Sequence, residues 1–162
     1  MKIKVFSRDA LGPLVRVDVN LDSIQYRDIL TNSMLPFSRE KLAPDFVFQQ
    51  DGAGPHTSHL IMGPVRRLPD GRKLKLPGWF RLNNVPLLRF PSLSPYISPI
   101  ENLWSCVERK LAGKRFNTRD ALWEAVQQAW ESIPLSTLIN LVDSMPRRMR
   151  EVIKAKGGPT RY

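Results

Sequence analysis

The sequence predicts an α/β fold that ends in a set of helices. The first half carries short apolar runs with the alternation of strands, most clearly Val15, Val17 and Val19 between polar residues. The second half carries apolar residues at helical spacing, starting at Ile100. A hydrophobic content of 42% in 162 residues is enough for one domain with a buried core.

Two predicted strands and a helix open the chain. The strands cover residues 5–6 and 14–19, and a short turn joins them as neighbours in one sheet. The helix covers about residues 23–31, and either Asn20 or Asp22 supplies its polar N-cap. Apolar residues of this helix are expected to pack on the sheet.

A central strand is predicted over residues 46–50, and it ends at Asp51. Gly52, Gly54 and Pro55 follow closely, so the residues alone favour a simple turn role for this aspartate. A carboxylate at the end of a strand is also the oxygen ligand that a hard divalent cation prefers. Both interpretations of Asp51 stay open at this point.

Glu101 is the second candidate carboxylate, near the start of a helix predicted over residues 99–114. Ser98, Pro99 and Glu101 have the spacing of a capping box, and the residues alone favour that structural role. Glu101 nevertheless lies off the apolar stripe of this helix. It is therefore free to face a cleft, where a carboxylate could bind a metal ion.

Two sequence motifs favour the metal-binding role of Asp51 and Glu101 over the structural role. Residues 49–58 read QQDGAGPHTS, which resembles the QQDNAPxHTS segment of Tc-one/mariner transposases. Residues 94–104 read SPYISPIENLW, which is similar to their SPDLSPIENLW segment, with Tyr96 in place of an aspartate. The resemblance continues between residues 12 and 30 and between 144 and 158, so it covers most of the chain.

The resemblance implies a ribonuclease-H-like α/β catalytic domain that cuts and rejoins DNA phosphodiesters with two metal ions, in DNA transposition and integration. Asp51 matches the second of three catalytic carboxylates and Glu101 the third, so both are implied ligands of Mg²⁺ or Mn²⁺. The first carboxylate has no match. We therefore expect a core truncated at its N-terminus, without its first strand, and a transposase remnant that is inactive on its own. The alternative is a nucleic-acid-binding protein derived from a transposase.

Other reactive side chains receive structural interpretations. His56 keeps its place in the first motif and could contact a metal shell or a phosphate, but we favour a helix N-terminal histidine bonded to a loop carbonyl. Cys106 is expected in the core, and a single cysteine excludes an internal disulfide framework. The sequence shows no Cys/His cluster for zinc.

The net charge of +10 favours an anionic partner, and nucleic acid is the usual one. A basic soluble protein without such a partner is the plainer alternative. Clustering of the basic residues favours contacts to the phosphates of DNA. The candidate nucleic-acid-binding residues are Arg66, Arg67, Arg72, Lys73 and Lys75 in a first cluster, Arg109, Lys110, Lys114 and Arg115 in a second, and Arg147 and Arg148 in a third.

Residues 64–78 read PVRRLPDGRKLKLPG, and their prolines and glycines exclude a helix. The family places a continuous helix here, so the segment is predicted to be an insertion, either a basic surface loop or translated non-coding sequence. The predicted organisation is a partial catalytic core over residues 1–116, a C-terminal helical part of the same domain over 117–158, and a tail over 159–162.

Cellular context is predicted from what the sequence lacks. No apolar run approaches the length of a membrane span, and the N-terminus has no signal-peptide pattern. We expect a nuclear protein with DNA as its partner, without a membrane or a small-molecule substrate. A second copy of the chain is a candidate partner, because an exposed sheet edge invites pairing.

Overall fold

Residues 2–18, 20–88 and 97–158 are described by the structure, a computed structural model of the chain. The chain divides into two units, one over Val17–Leu93 and the other over Lys2–Arg16 together with Ser94–Tyr162. The predicted boundary at residue 116 falls inside the second unit, and the predicted tail after 158 lies outside the described residues.

The predicted pair of N-terminal strands forms an antiparallel hairpin. Strand β1 (Lys2–Phe6) pairs with β2 (Leu11–Arg16), and Lys4 lies opposite Leu14. The amide of Ser7 donates to the carbonyl of Ala10 at 2.8 Å and closes the turn. The second strand ends earlier than predicted, and Val19 lies outside the described residues.

Helix α1 (Ser23–Ile29) begins the first unit's helical part. The carboxylate of Asp22 accepts hydrogen bonds from two amides of the first turn, and the side chain of Gln25 accepts one from the Asp22 amide. The N-cap is therefore Asp22, one of the two residues predicted for that position. The helix continues through a π-helical turn (Leu30–Met34) into α2 (Leu35–Lys41), where the sequence predicts a loop or a broken helix.

The central strand predicted over residues 46–50 is not a regular strand. One parallel bridge joins Phe48 to Leu87, and the amide of Phe48 donates to the carbonyl of Pro86 at 2.8 Å. The ladder does not extend through Pro86, because proline has no N–H to donate. Within the described residues, the predicted strand is therefore reduced to a single bridge.

Three short helices follow the bridge: α3 (Gly54–Thr57), α4 (His59–Met62) and α5 (Trp79–Leu82). Between α4 and α5 the chain forms an antiparallel hairpin from β3 (Val65–Arg67) and β4 (Lys73–Lys75). The structure thus confirms that no helix runs through the segment predicted as an insertion. The residues of this segment instead form an exposed two-stranded ribbon.

Two glycines form the neck of this ribbon. A methyl group on Gly78 would overlap the backbone nitrogen of Gly63, and a methyl group on Gly63 would overlap the carbonyl oxygen of Leu76. The amide of Leu76 donates to the carbonyl of Pro64 at 2.9 Å just beyond the neck. Both ends of the ribbon therefore leave the first unit at one point.

Four helices make up most of the second unit: α6 (Ile100–Leu111), α7 (Arg119–Glu131), α8 (Leu135–Asp143) and α9 (Met145–Lys154). The hydroxyl of Thr118 accepts a hydrogen bond from the Ala121 amide at 3.0 Å and caps the start of α7.

The core of this unit lies between α6, α7 and α8, and the N-terminal hairpin packs on it. The apolar stripe predicted for α6 is confirmed, since Leu103 and Val107 are fully buried. Trp130 of α7 is also buried, and its Nε1 donates to the carbonyl of Gly12 at 3.0 Å. Within the described residues, no helix is long and apolar enough to cross a bilayer.

Candidate functional site

The carboxylate of Asp51 is held by one of its two oxygens. Oδ1 accepts a hydrogen bond from the amide of Ala53 at 2.9 Å and lies 2.5 Å from Nδ1 of His56. Because an ionised carboxylate only accepts hydrogen bonds, His56 donates through Nδ1–H. The turn role that the sequence suggests for Asp51 is therefore present in the structure.

The second oxygen of Asp51 is open. The side chain is 70% exposed, and none of the described residues donates a hydrogen bond to Oδ2. An open carboxylate oxygen at a fixed position is the kind of ligand that Mg²⁺ takes. The turn and a role in metal binding are thus compatible in one residue.

A second layer of side chains fixes His56. The hydroxyl of Tyr26 donates to Oε1 of Gln50 at 2.7 Å, and Nε2 of Gln50 donates to the backbone carbonyl of His56 at 3.0 Å. The ring of Tyr26 also packs on the imidazole, with centroids 4.0 Å apart. The imidazole therefore contacts Asp51, where the sequence favours a bond to a loop carbonyl.

Sequence reasoning missed the roles of Tyr26 and Gln50. The contact from Tyr26 to Gln50 joins residues 24 positions apart, and no local spacing rule connects them. The only sequence signal is the glutamine pair that precedes Asp51 in the first motif. Burial raises the pKa of the Tyr26 hydroxyl, and the negative charge of Asp51 raises it further, so this phenol stays protonated as a donor.

Glu101 lies in the first turn of α6 with an exposed side chain. The capping box suggested by the sequence does not form: the helix begins at Ile100, and Pro99 occupies the N-cap without a side-chain bond. The amide of Glu101 instead bonds to the carbonyl of Ser98 at 3.4 Å. Among the described residues none donates a hydrogen bond to the Glu101 carboxylate.

All five cations of the first basic cluster lie exposed on the β3–β4 ribbon. Arg72 pairs with Asp70, and their side chains approach to 2.6 Å. Within the described part of the chain this is the only ion pair of the ribbon.

The second basic cluster is exposed along and after α6. Two of its members have partners: Arg109 donates to the sulfur of Cys106 at 3.2 Å, and Lys110 donates to the carbonyl of Ser132 at 3.1 Å. Lys114 and Arg115 lie exposed beyond the helix end. Cys106 is half-buried, so its thiol is not a full member of the core.

The two residues of the third basic cluster differ in exposure. Arg147 is exposed on α9. Arg148 is only 4% exposed, and its Nε donates to the hydroxyl of Ser144 at 2.9 Å. A guanidinium buried in this way cannot reach a duplex, so its burial removes Arg148 from the candidate DNA contacts.

Metal-ligating side chains do not form a large cluster in the described part of the chain. Over residues 2–18, 20–88 and 97–158 the structure shows no group of three or more His, Cys, Asp or Glu side chains that could hold a metal ion. Mg²⁺ is commonly bound by only one or two carboxylates together with waters and substrate phosphates. Taken separately, the open oxygen of Asp51 in the first unit and the exposed carboxylate of Glu101 in the second are each a donor of this kind.

No protein-family model matches this chain, but it is similar in sequence to curated transposases and in fold to a transposase catalytic domain. The Tcb2 transposase of Caenorhabditis briggsae is 41% identical over 157 residues, which cover 97% of this chain and 52% of that protein. The Tc1 transposase of Caenorhabditis elegans is 38% identical with the same coverage. The chain therefore spans about half the length of the curated relatives it matches.

The fold is that of a transposase catalytic domain. A structure of the Mos1 transposase catalytic domain with Raltegravir and Mg superposes with a TM-score of 0.73 at 16% identity, covering 96% of this chain and 74% of that one. This likeness confirms the predicted α/β ribonuclease-H-like class with C-terminal helices. Together with the sequence relatives, it shows that the chain belongs to the Tc-one/mariner family of transposases.

Proposed function

We propose that this chain acts on DNA as part of a transposase catalytic domain, with Asp51 and Glu101 as ligands of Mg²⁺ or Mn²⁺. The family supports DNA transposition as the process. A bound divalent cation would supply charge neutralisation at a phosphodiester and activation of the attacking oxygen.

The observation that carries this proposal is the state of the Asp51 carboxylate. Its Oδ1 is held by the Ala53 amide and by His56, while Oδ2 has no described partner. Tyr26 and Gln50 hold His56 in turn. These residues fix the direction of one carboxylate oxygen before any ligand arrives, as a preorganised site requires.

Binding of DNA is proposed to depend on the exposed cations. Phosphate contacts of this kind position a duplex without reading its sequence. The proposed contacts are Arg66, Arg67, Arg72, Lys73 and Lys75 on the ribbon, Arg109, Lys110, Lys114 and Arg115 along α6 and after it, and Arg147 on α9.

Cleavage by these 162 residues alone is proposed to be slow. The described residues hold no cluster of three metal-ligating side chains, and a missing ligand in a two-metal site lowers transition-state stabilisation by several kcal/mol. That deficit corresponds to roughly three or more decades in rate. A partner chain or a longer product could supply the further ligand.

The second candidate function is DNA binding without cleavage. It is favoured because the described residues provide exposed cations but no group of three metal-ligating side chains. In that case Asp51 would serve only the turn that it caps.

Nicking of supercoiled plasmid with Mg²⁺ or Mn²⁺ separates the two functions. Wild type is compared with Asp51→Asn and Glu101→Gln, and Glu124→Gln is the control because this exposed acid of α7 is neither a proposed metal ligand nor the partner of a proposed DNA contact. Slow metal-dependent nicking that both variants lose and the control keeps supports catalysis. Plasmid binding without nicking at any metal concentration refutes catalysis and leaves the binding function.

We also propose a nuclear location and self-association. DNA as partner supports the first. The β3–β4 ribbon supports the second, because its strands pair only with each other among the described residues and a sheet edge invites pairing. A fluorescent fusion excluded from the nucleus would contradict the location, and a strictly monomeric mass in solution would contradict self-association.

A further inference from the structure

We propose that the β3–β4 ribbon (residues 64–77) is a docking element for duplex DNA, and that one of its two faces contacts the phosphates. Arg67, Lys73 and Lys75 are the contacting residues. This inference depends on the proposed function only in naming DNA as the partner. It assigns the contact to one face of one element.

The pairing register defines the two faces. Val65 lies opposite Lys75, and Arg67 lies opposite Lys73. Cross-strand partners share a face and alternate residues point to opposite faces, so these four side chains lie together. The other face presents Arg66 opposite Leu74. Three cations therefore lie on the first face of a hairpin only three residues long in each strand.

This face is electrostatically unsatisfied. Arg67 and Lys73 are directly opposed, and like charges at opposed positions destabilise a ribbon. All three cations are exposed, and no carboxylate of the described residues lies within ion-pairing distance of them. The nearby acid, Asp70, already pairs with Arg72. A row of phosphates would relieve this repulsion, because it places anions between the three cations.

The shape of the ribbon suits a duplex. A two-stranded ribbon is one of the elements that the major groove of B-DNA admits. The neck at Gly63 and Gly78 brings both ends of the ribbon to one point, so its strands project outward with exposed side chains. Both faces are consequently accessible to a partner, and the face with more cations is the one expected to meet the phosphates.

The test is the salt dependence of binding to a 30-base-pair duplex, measured by fluorescence anisotropy. The variant Arg67→Gln/Lys73→Gln/Lys75→Gln removes the proposed contacts. Each lost phosphate contact lowers the slope of log affinity against log salt by about 0.9, so the triple variant should lose about 2.7. Raising salt from 50 to 200 mM should then weaken wild type about 40-fold more than the variant.

The control variant Arg8→Gln/Arg39→Gln/Lys41→Gln removes the same charge from exposed positions outside the three clusters. It should keep the wild-type slope, and thermal melting should show that both variants fold. If both variants lose the same slope, net charge explains binding and the proposal fails. It also fails if the ribbon variant keeps the wild-type slope, or if a single strand of the same length binds equally well.

These outcomes are independent of the proposed catalytic function. A ribbon variant that binds like wild type while wild type still nicks plasmid refutes only the ribbon. A wild type whose slope exceeds that of the ribbon variant by about 2.7, but which never nicks plasmid, refutes only catalysis.

Discussion

The neck of the ribbon permits a sharp stability prediction for Gly78→Ala. A methyl group on Gly78 would overlap the backbone of Gly63 and Ile61 and would lie 2.5 Å from the carbonyl carbon of Met62. The backbone of Gly78 is extended, with φ −96°, so alanine has no conformational penalty there. The whole effect therefore comes from the contact, which only a separation of the two neck segments can relieve.

The magnitude follows from two contributions. Forcing a methyl group into a filled space costs about 1–3 kcal/mol. Opening the neck also strains the hydrogen bond from the Leu76 amide to the Pro64 carbonyl, which contributes about 1 kcal/mol. We expect Gly78→Ala to lower the free energy of unfolding by about 2–4 kcal/mol. Gly63→Ala should lower it by about 1–3 kcal/mol more, because φ +86° with ψ 137° is a backbone conformation that L-residues rarely adopt.

Two other glycines provide matched controls. Gly71 has φ +84° with open space around it, so Gly71→Ala isolates the backbone cost of about 1–2 kcal/mol. Gly54 has open space and no positive φ, so Gly54→Ala should not lower stability. Urea unfolding followed by tryptophan fluorescence measures all four variants. A Gly78→Ala protein as stable as Gly54→Ala would refute the close neck.

Two further predictions concern buried hydrogen bonds. Trp130→Phe leaves the Gly12 carbonyl without its donor and should lower the free energy of unfolding by about 1–3 kcal/mol, measured by urea unfolding; an unchanged value would contradict this. Tyr26→Phe removes the hydrogen bond to Gln50. It also removes the phenol whose ionisation makes the free energy of unfolding depend on pH. The pKa of Tyr26 is higher in the folded protein than in the unfolded chain. Its contribution to the stability of the folded protein is therefore complete below about pH 10 and is lost as the pH rises through the pKa of the folded state. Unfolding between pH 9 and 11 should show a steeper decline in wild type than in Tyr26→Phe, and equal slopes would contradict the shift.

Features that depend on neighbouring residues could be predicted from the sequence. Asp22 and Thr118 cap helices because their side chains reach amides two or three positions away. The burial of Leu103 and Val107 follows from helical spacing alone. The break at residues 64–78 follows from prolines and glycines, although its hairpin register does not.

Features that depend on distant residues could not be predicted in the same way. His56 is fixed in part by the ring of Tyr26, and the position of Tyr26 is set by the packing of α1 in the first unit. Arg148 looks like a surface cation in the sequence, yet the fold buries it beside Ser144. The spacing of Ser98 and Glu101 fits a capping box, but the helix begins too late for Ser98 to be its N-cap.

The proposed function depends most directly on metal binding by Asp51. Asp51→Asn retains an Oδ1 acceptor for the Ala53 amide and for His56, so the turn should survive while the anionic ligand is lost. Titration of free Mn²⁺ by electron paramagnetic resonance compares wild type, Asp51→Asn and the control Asp70→Asn. We predict that wild type and the control bind Mn²⁺ and that Asp51→Asn binds at least tenfold more weakly, a difference of about 1.4 kcal/mol. Equal Mn²⁺ affinity in all three folded proteins would contradict the assignment of Asp51 as a metal ligand.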